Sequence, residues 1–105
     1  MKFMVTARPR PLGPPPDAVR QAQAWLQAKL DDGTFEAVYA YPEGGGCSIG
    51  TYDSHEQLME ELMEYPLSPF VDYEVQALVD LDAAFERFIP FAEAMSAQMA
   101  AQAGS

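Results

Sequence analysis

Between Lys2 and Val79 the apolar residues alternate between a spacing of two and a helical spacing, in an order that few folds satisfy. Residues 2–8 read as a strand, with Phe3, Val5 and Ala7 on one face and Met4 and Thr6 on the other, as expected for a strand covered on both sides. The run Pro9-Arg10-Pro11-Leu12-Gly13-Pro14-Pro15-Pro16 lacks the amides that a helix or a central strand needs, so it is a stiff connector with polyproline II character. From Asp17 to Leu30 the positions Val19, Ala22, Leu26 and Leu30 form a helical stripe, widened by Trp25, and Gly33 is placed to end it. Thr34 to Tyr41 alternates, with Phe35, Ala37, Tyr39 and Tyr41 opposite Glu36, Val38 and Ala40. Pro42 to Gly46 forms a turn, and Cys47 to Tyr52 returns as the second arm of a hairpin. Ser54-His55-Glu56-Gln57 is a capping box opening a short helix. That helix buries Leu58, Met59, Leu62 and Met63 and turns Glu56, Glu60, Glu61 and Glu64 mostly toward water. Pro66 and Pro69 stop it, and Val71 to Val79 forms the last strand, with Val71, Tyr73, Val75, Ala77 and Val79 on one face.

The order β-α-β-β-α-β defines the expected fold class. It is α+β, a ferredoxin-like βαββαβ unit with a four-stranded antiparallel sheet and two helices on one face. The open face would carry the Phe35/Tyr39/Tyr41 row or its opposite, and an apolar sheet face needs a cover. A homodimer or larger homo-oligomer is therefore expected. The chain divides into a domain over residues 1–80 and a C-terminal helical extension over 81–105. In the extension Ala84, Phe85, Phe88 and Ile89 form a helical turn that Pro90 interrupts. Ala92, Met95, Met99 and Ala103 then resume the spacing, and the last residues fray.

Charge narrows the partners. Sixteen acidic against six basic side chains give a net charge of −10, which repels phosphate backbones and anionic headgroups, so neither nucleic acid nor a membrane is an expected partner. The chain shows no signal-peptide pattern and no run of about 20 apolar residues. The single cysteine, Cys47, cannot close an internal disulfide. Together these features predict a cytoplasmic protein.

Most of the familiar chemical signatures are missing. His55 and Cys47 are each unique in the chain, but the strand between them carries them roughly 17 Å apart, too far for a nucleophile–base pair. No Cys-x-x-Cys or His-rich pattern exists, and Asp31/Asp32 and Asp80/Asp82 lack the further carboxylates of a calcium loop, so no metal and no cofactor are expected. Gly44-Gly45-Gly46 lies between two strands, which is the wrong context for a phosphate loop. The aromatic set Trp25, Phe35, Tyr39, Tyr41 and Tyr73 has two readings. It is either ordinary core, or the wall of an apolar pocket with tyrosine hydroxyls and Ser48 as its polar contacts.

One segment is less anonymous. Leu62-Met63-Glu64-Tyr65-Pro66-Leu67-Ser68-Pro69-Phe70-Val71-Asp72-Tyr73-Glu74-Val75, with its double-proline corner and Asp-x-Glu-Val strand, resembles a segment of the muconolactone isomerase family. Gln27 to Phe35 resembles the same family's helix ending in Gly-Thr-aromatic. The resemblance implies a ferredoxin-like fold whose dimers close into an α+β barrel and assemble into rings. It also implies a cofactor-free proton transfer that moves a double bond in a small lactone. The family carries a carboxylate on its first helix about eleven residues before the helix-ending glycine, and here that position is Ala22, between Gln21 and Gln23.

Replacement acid/base groups would then come from Glu36, Asp72 and Glu74 on the strands. Trp25, Phe35, Tyr39, Tyr41, Ser48 and Tyr73 would contact substrate, and Arg8 and Arg20 would orient an anion or pair with acidic neighbours. Two functions follow. One is a muconolactone isomerase-like catalyst of proton transfer, isomerisation or cyclisation on a small oxygenated molecule, lactone- or polyketide-like. The other is a non-catalytic small-molecule-binding or assembly subunit that keeps the fold without the first-helix carboxylate.

Overall fold

The computed structural model describes residues 1–103. Strand β1 (Lys2–Pro9) leads through the proline run into helix α1 (Pro16–Asp31), followed by the hairpin β2 (Phe35–Ala40) and β3 (Gly46–Thr51). Helix α2 (His55–Glu64), a 3-10 turn over Ser68–Phe70, strand β4 (Val71–Leu78) and helix α3 (Leu81–Ala103) complete the chain. The four strands form one antiparallel sheet in the order β2-β3-β1-β4. This is the expected ferredoxin-like arrangement.

Local signals set the boundaries. Proline at the start of α1 gives up an amide that the first turn leaves unused, and Gly33 ends the helix at φ 81°. At α2 the Ser54 hydroxyl accepts the Gln57 amide at 3.1 Å, and the Gln57 side chain accepts the Asp53 amide at 2.6 Å. The hairpin tip is tight rather than loose. Gly44 and Gly45 have positive φ, and a Cβ on Gly45 would come within 2.2 Å of the Ala7 carbonyl oxygen.

The core lies between the sheet and the two helices. Phe3, Val5, Phe35, Tyr52 and Leu58 are buried there, with Trp25, Leu26, Leu30, Val38, Leu62 and Tyr73 packed around them. Strand β2 departs from the expected alternation. Its register with β3 shifts between Phe35 and Ala37, so Phe35 lies opposite Gly50 and Val38 opposite Ser48. This bulge at Glu36 sends Phe35 and Val38 to the helix side together and leaves Tyr39 66% exposed on the other side. The aromatic row expected on one face is split between two.

The open face is consequently more polar than expected. It carries ion pairs from Lys2 to Glu36 (3.2 Å), Arg8 to Glu74 (3.6 Å) and Arg10 to Asp72 (2.9 Å).

The largest difference lies in the extension. Pro90 does not interrupt it, and α3 runs unbroken through the proline. Alanine, glutamate and methionine on both sides are strong helix formers, and the proline costs one backbone hydrogen bond. No residue of α3 is buried, although Leu81, Phe85, Phe88, Ile89, Phe91, Met95 and Met99 are all exposed apolar side chains. The helix projects from the body, giving extents of 68 × 31 × 25 Å and a radius of gyration of 19.7 Å, against about 13 Å for a compact chain of this length. Among the described residues no helix is long and apolar enough to cross a membrane.

Candidate functional site

A cavity of about 320 Å³ opens between the sheet and helices α1 and α2. Its size suits a small organic ligand. The sheet supplies Val5, Phe35, Val38 and Ser48, α1 supplies Trp25 and Leu26, and the double-proline corner supplies Leu67 and Phe70. The walls are aromatic and interlocked. Trp25 meets Phe35 edge-on at 5.7 Å and lies 5.2 Å from Tyr65.

Among the described residues one acidic side chain lines this cavity, and it is not one the sequence pattern singled out. Glu61, placed by helical spacing among the water-facing residues of α2, is only 8% exposed. Its turn of helix faces α1, where Lys29 donates to Oε1 at 2.7 Å while its ammonium sits 5.2 Å from the centre of the Trp25 ring. The ion pair with Glu61 holds the Lys29 pKa above its ordinary value, through the hydrogen bond first and the opposite charge beside it. The other carboxylate oxygen, Oε2, is buried and has no hydrogen-bond partner. Leaving such an atom unpaired is costly, and this atom therefore marks a place where chemistry is expected.

Tyr52 completes the cluster. It is 2% exposed, and burial first, then the Glu61 carboxylate beside it, push its phenol far above the usual value of 10.0. The hydroxyl is thus fixed as a proton donor across the ordinary pH range. Its position depends on Gly50, because a Cβ there would lie 3.1 Å from the Tyr52 hydroxyl and 3.0 Å from the Phe35 ring. Burial also raises Tyr65 and Tyr73, and the Tyr73 hydroxyl donates to the Leu62 carbonyl at 2.9 Å.

Trp25, Phe35, Tyr39, Ser48 and Tyr73 all border the cavity, Tyr39 only at its rim. Tyr41 instead turns to Thr6, with 3.4 Å between the hydroxyls. Glu36, Asp72 and Glu74 are not brought to the cavity. Their side chains are 61%, 69% and 67% exposed and pair with Lys2, Arg10 and Arg8 on the open face. Arg20 pairs with Asp17 on the surface of α1. Ala22 is buried at 3% exposure, and α1 brings no carboxylate to the cavity. His55 packs edge-on against Phe3 and remains exposed. Among the described residues no three His, Cys, Asp or Glu side chains gather as metal ligands would.

No family model and no curated protein matches the sequence. Solved structures do. The chain is similar to a crystal structure of muconolactone isomerase, with 27% identity and a TM-score of 0.63, over 76% of this chain and 90% of that one. It is also similar to a 5-chloro-2-hydroxyhydroquinone dehydrochlorinase from Burkholderia phenoliruptrix solved with 2,5-dihydroxybenzoquinone. There the identity is 12% and the TM-score 0.61, over 79% of this chain and 98% of the other, a likeness of fold alone. The chain is an α+β protein with a muconolactone isomerase-like fold.

Proposed function

We propose that the chain is a cofactor-independent catalyst of proton transfer on a small, largely apolar oxygenated molecule, with Glu61 as the base and Tyr52 as the hydrogen-bond donor. The observation that carries this reading is the buried, unpartnered Oε2 of Glu61 in an aromatic cavity beside a protonated phenol. Lys29 holds the carboxylate through Oε1 and leaves Oε2 to act. In an isomerisation Oε2 takes a proton from an acidic C–H and returns it to another carbon of the same conjugated system. Tyr52 meanwhile donates to the developing enolate oxygen and keeps its own proton. The apolar walls exclude water and so strengthen both contacts. The carboxylate that the resemblance places on the first helix is, in this reading, supplied by α2 instead.

Hydrogen–deuterium exchange of 2-tetralone, an uncharged enolisable ketone, tests it by NMR. The protein should accelerate exchange over buffer, and Glu61→Gln should remove roughly 10²–10⁴-fold of that acceleration. Exchange at the buffer rate with the ketone bound would favour the binding-subunit reading, for which buried Ala22 speaks.

The reading includes self-association, in a reducing compartment such as the cytoplasm. Leu81, Phe85, Phe88, Ala92, Met95 and Met99 recur at spacings of four and three, the seam of a coiled coil, with Pro90 on the outermost position of the repeat. A like helix of a second copy is the partner such a stripe fits.

A further inference from the structure

Resting on that reading of the cavity, we propose that the site selects uncharged, hydroxyl-bearing ring compounds and rejects organic anions. Among the described residues Glu61 is the only charged side chain in the cavity lining, and no lysine, arginine or histidine joins it. The nearest cation, Lys29, is already committed to Glu61 and to the face of Trp25. The arginines that could receive an anion are spent elsewhere. Arg8, Arg10 and Arg20 each pair with a carboxylate outside the cavity, on side chains 58%, 51% and 74% exposed.

An entering carboxylate would place a second negative charge beside Glu61 with one cation between them, in a space walled by rings. Burying that charge without a partner is costly. The net charge of −10 disfavours its approach as well. A neutral ring meets none of these penalties. Its carbonyl or hydroxyl oxygen can accept from Tyr52, and its O–H can supply the donor that Glu61 Oε2 lacks.

Three bicyclic probes of matched shape separate the two requirements by calorimetric titration near neutral pH. They are 2-naphthol, 2-methoxynaphthalene, which has no O–H, and 2-naphthoate, which is anionic there. The naphthol should bind about tenfold more tightly than its methyl ether, and about tenfold or more above the naphthoate. In Glu61→Gln the gap to the naphthoate should close or invert, because Lys29 loses its partner. In Lys29→Met it should widen, which keeps a variant arm should the first not fold. Naphthoate binding as well as naphthol to the unmodified protein would overturn the charge rule, and so would a gap unchanged in both variants. Equal binding of the ether would overturn the hydroxyl requirement, and failure of all three to bind would overturn the proposal whole. Because the readout is equilibrium affinity, a protein that binds by these rules without accelerating exchange would refute the catalytic reading alone.

Discussion

Removing the Lys29 ammonium by Lys29→Met perturbs the interior of this protein more than its surface position on α1 suggests. Losing one partner of a fully buried ion pair costs about 3–5 kcal/mol, because the other charge is left stranded. Here the two side chains are 22% and 10% exposed, so water relieves part of that cost, and about 2–3 kcal/mol remains. The lost contact with the Trp25 ring adds about 0.5–1 kcal/mol. A total near 3 kcal/mol should lower the melting temperature by roughly 12 °C or more for a chain of this size. Urea unfolding followed by far-UV circular dichroism, at one protein concentration, measures it. Lys29→Met combined with Glu61→Met should recover most of the loss, since an apolar pair of similar volume is a near-neutral replacement for a buried ion pair. The cycle should give a coupling of about 1.5 kcal/mol or more. A cost below about 0.5 kcal/mol with additive single effects is what a solvated surface pair gives. That result would refute the claim that Glu61 is held in a desolvated site.

Alkaline pH should weaken the fold with a definite sign. Tyr52, Tyr65 and Tyr73 by burial, and Lys29 by its hydrogen bond to Glu61, keep their protons in the folded state beyond their ordinary values of 10.0 and 10.5. The stability they carry is complete below those values and is lost as pH rises above them, so urea midpoints should fall from about pH 10 upward and fall less steeply in Tyr52→Phe. On α3, Phe88→Glu places a charge in the proposed seam and should reduce the mass seen by light scattering to the 11.6 kDa monomer. Glu93→Gln, off the seam, should leave it unchanged, and an unmodified protein that already scatters as a monomer would refute the association.

The fold was legible because the evidence for it is local and repeated. Capping at Ser54, the glycine stop at Gly33 and the prolines before β4 each mark a boundary without reference to the rest of the chain. The cavity's walls were legible for the same reason, since Trp25, Phe35, Ser48 and Tyr73 follow from element order and facing. Its carboxylate was not. Glu61 sits in a run of glutamates that reads as a solvated face, yet it shares the i, i+3, i+4, i+7 spacing of Leu58, Leu62 and Tyr65, which Glu60 and Glu64 do not, and the packing of α1 across α2 pairs it with Lys29. Alternation puts Tyr52 on the face of Ser48, but a tyrosine closing a strand reads as ordinary core, and only its meeting with Glu61 gives it a role. Its pairing with Glu61 joins β3 to α2, a contact no periodicity encodes. A lysine one helical turn after a tryptophan was a second hint, and its meaning depends on α2.

The bulge at Glu36 has a consequence for how this chain is compared with others. It inserts one residue into β2 that β3 does not match, so Phe35 and Val38 share a face although they are three positions apart. A relative whose second strand is regular must be aligned with a one-residue gap in mid-strand at Glu36, a place where gaps are ordinarily refused. Without it, every residue from Ala37 to the end of that strand is matched to one facing the other side of the sheet, and inward Val38 is scored against an outward neighbour.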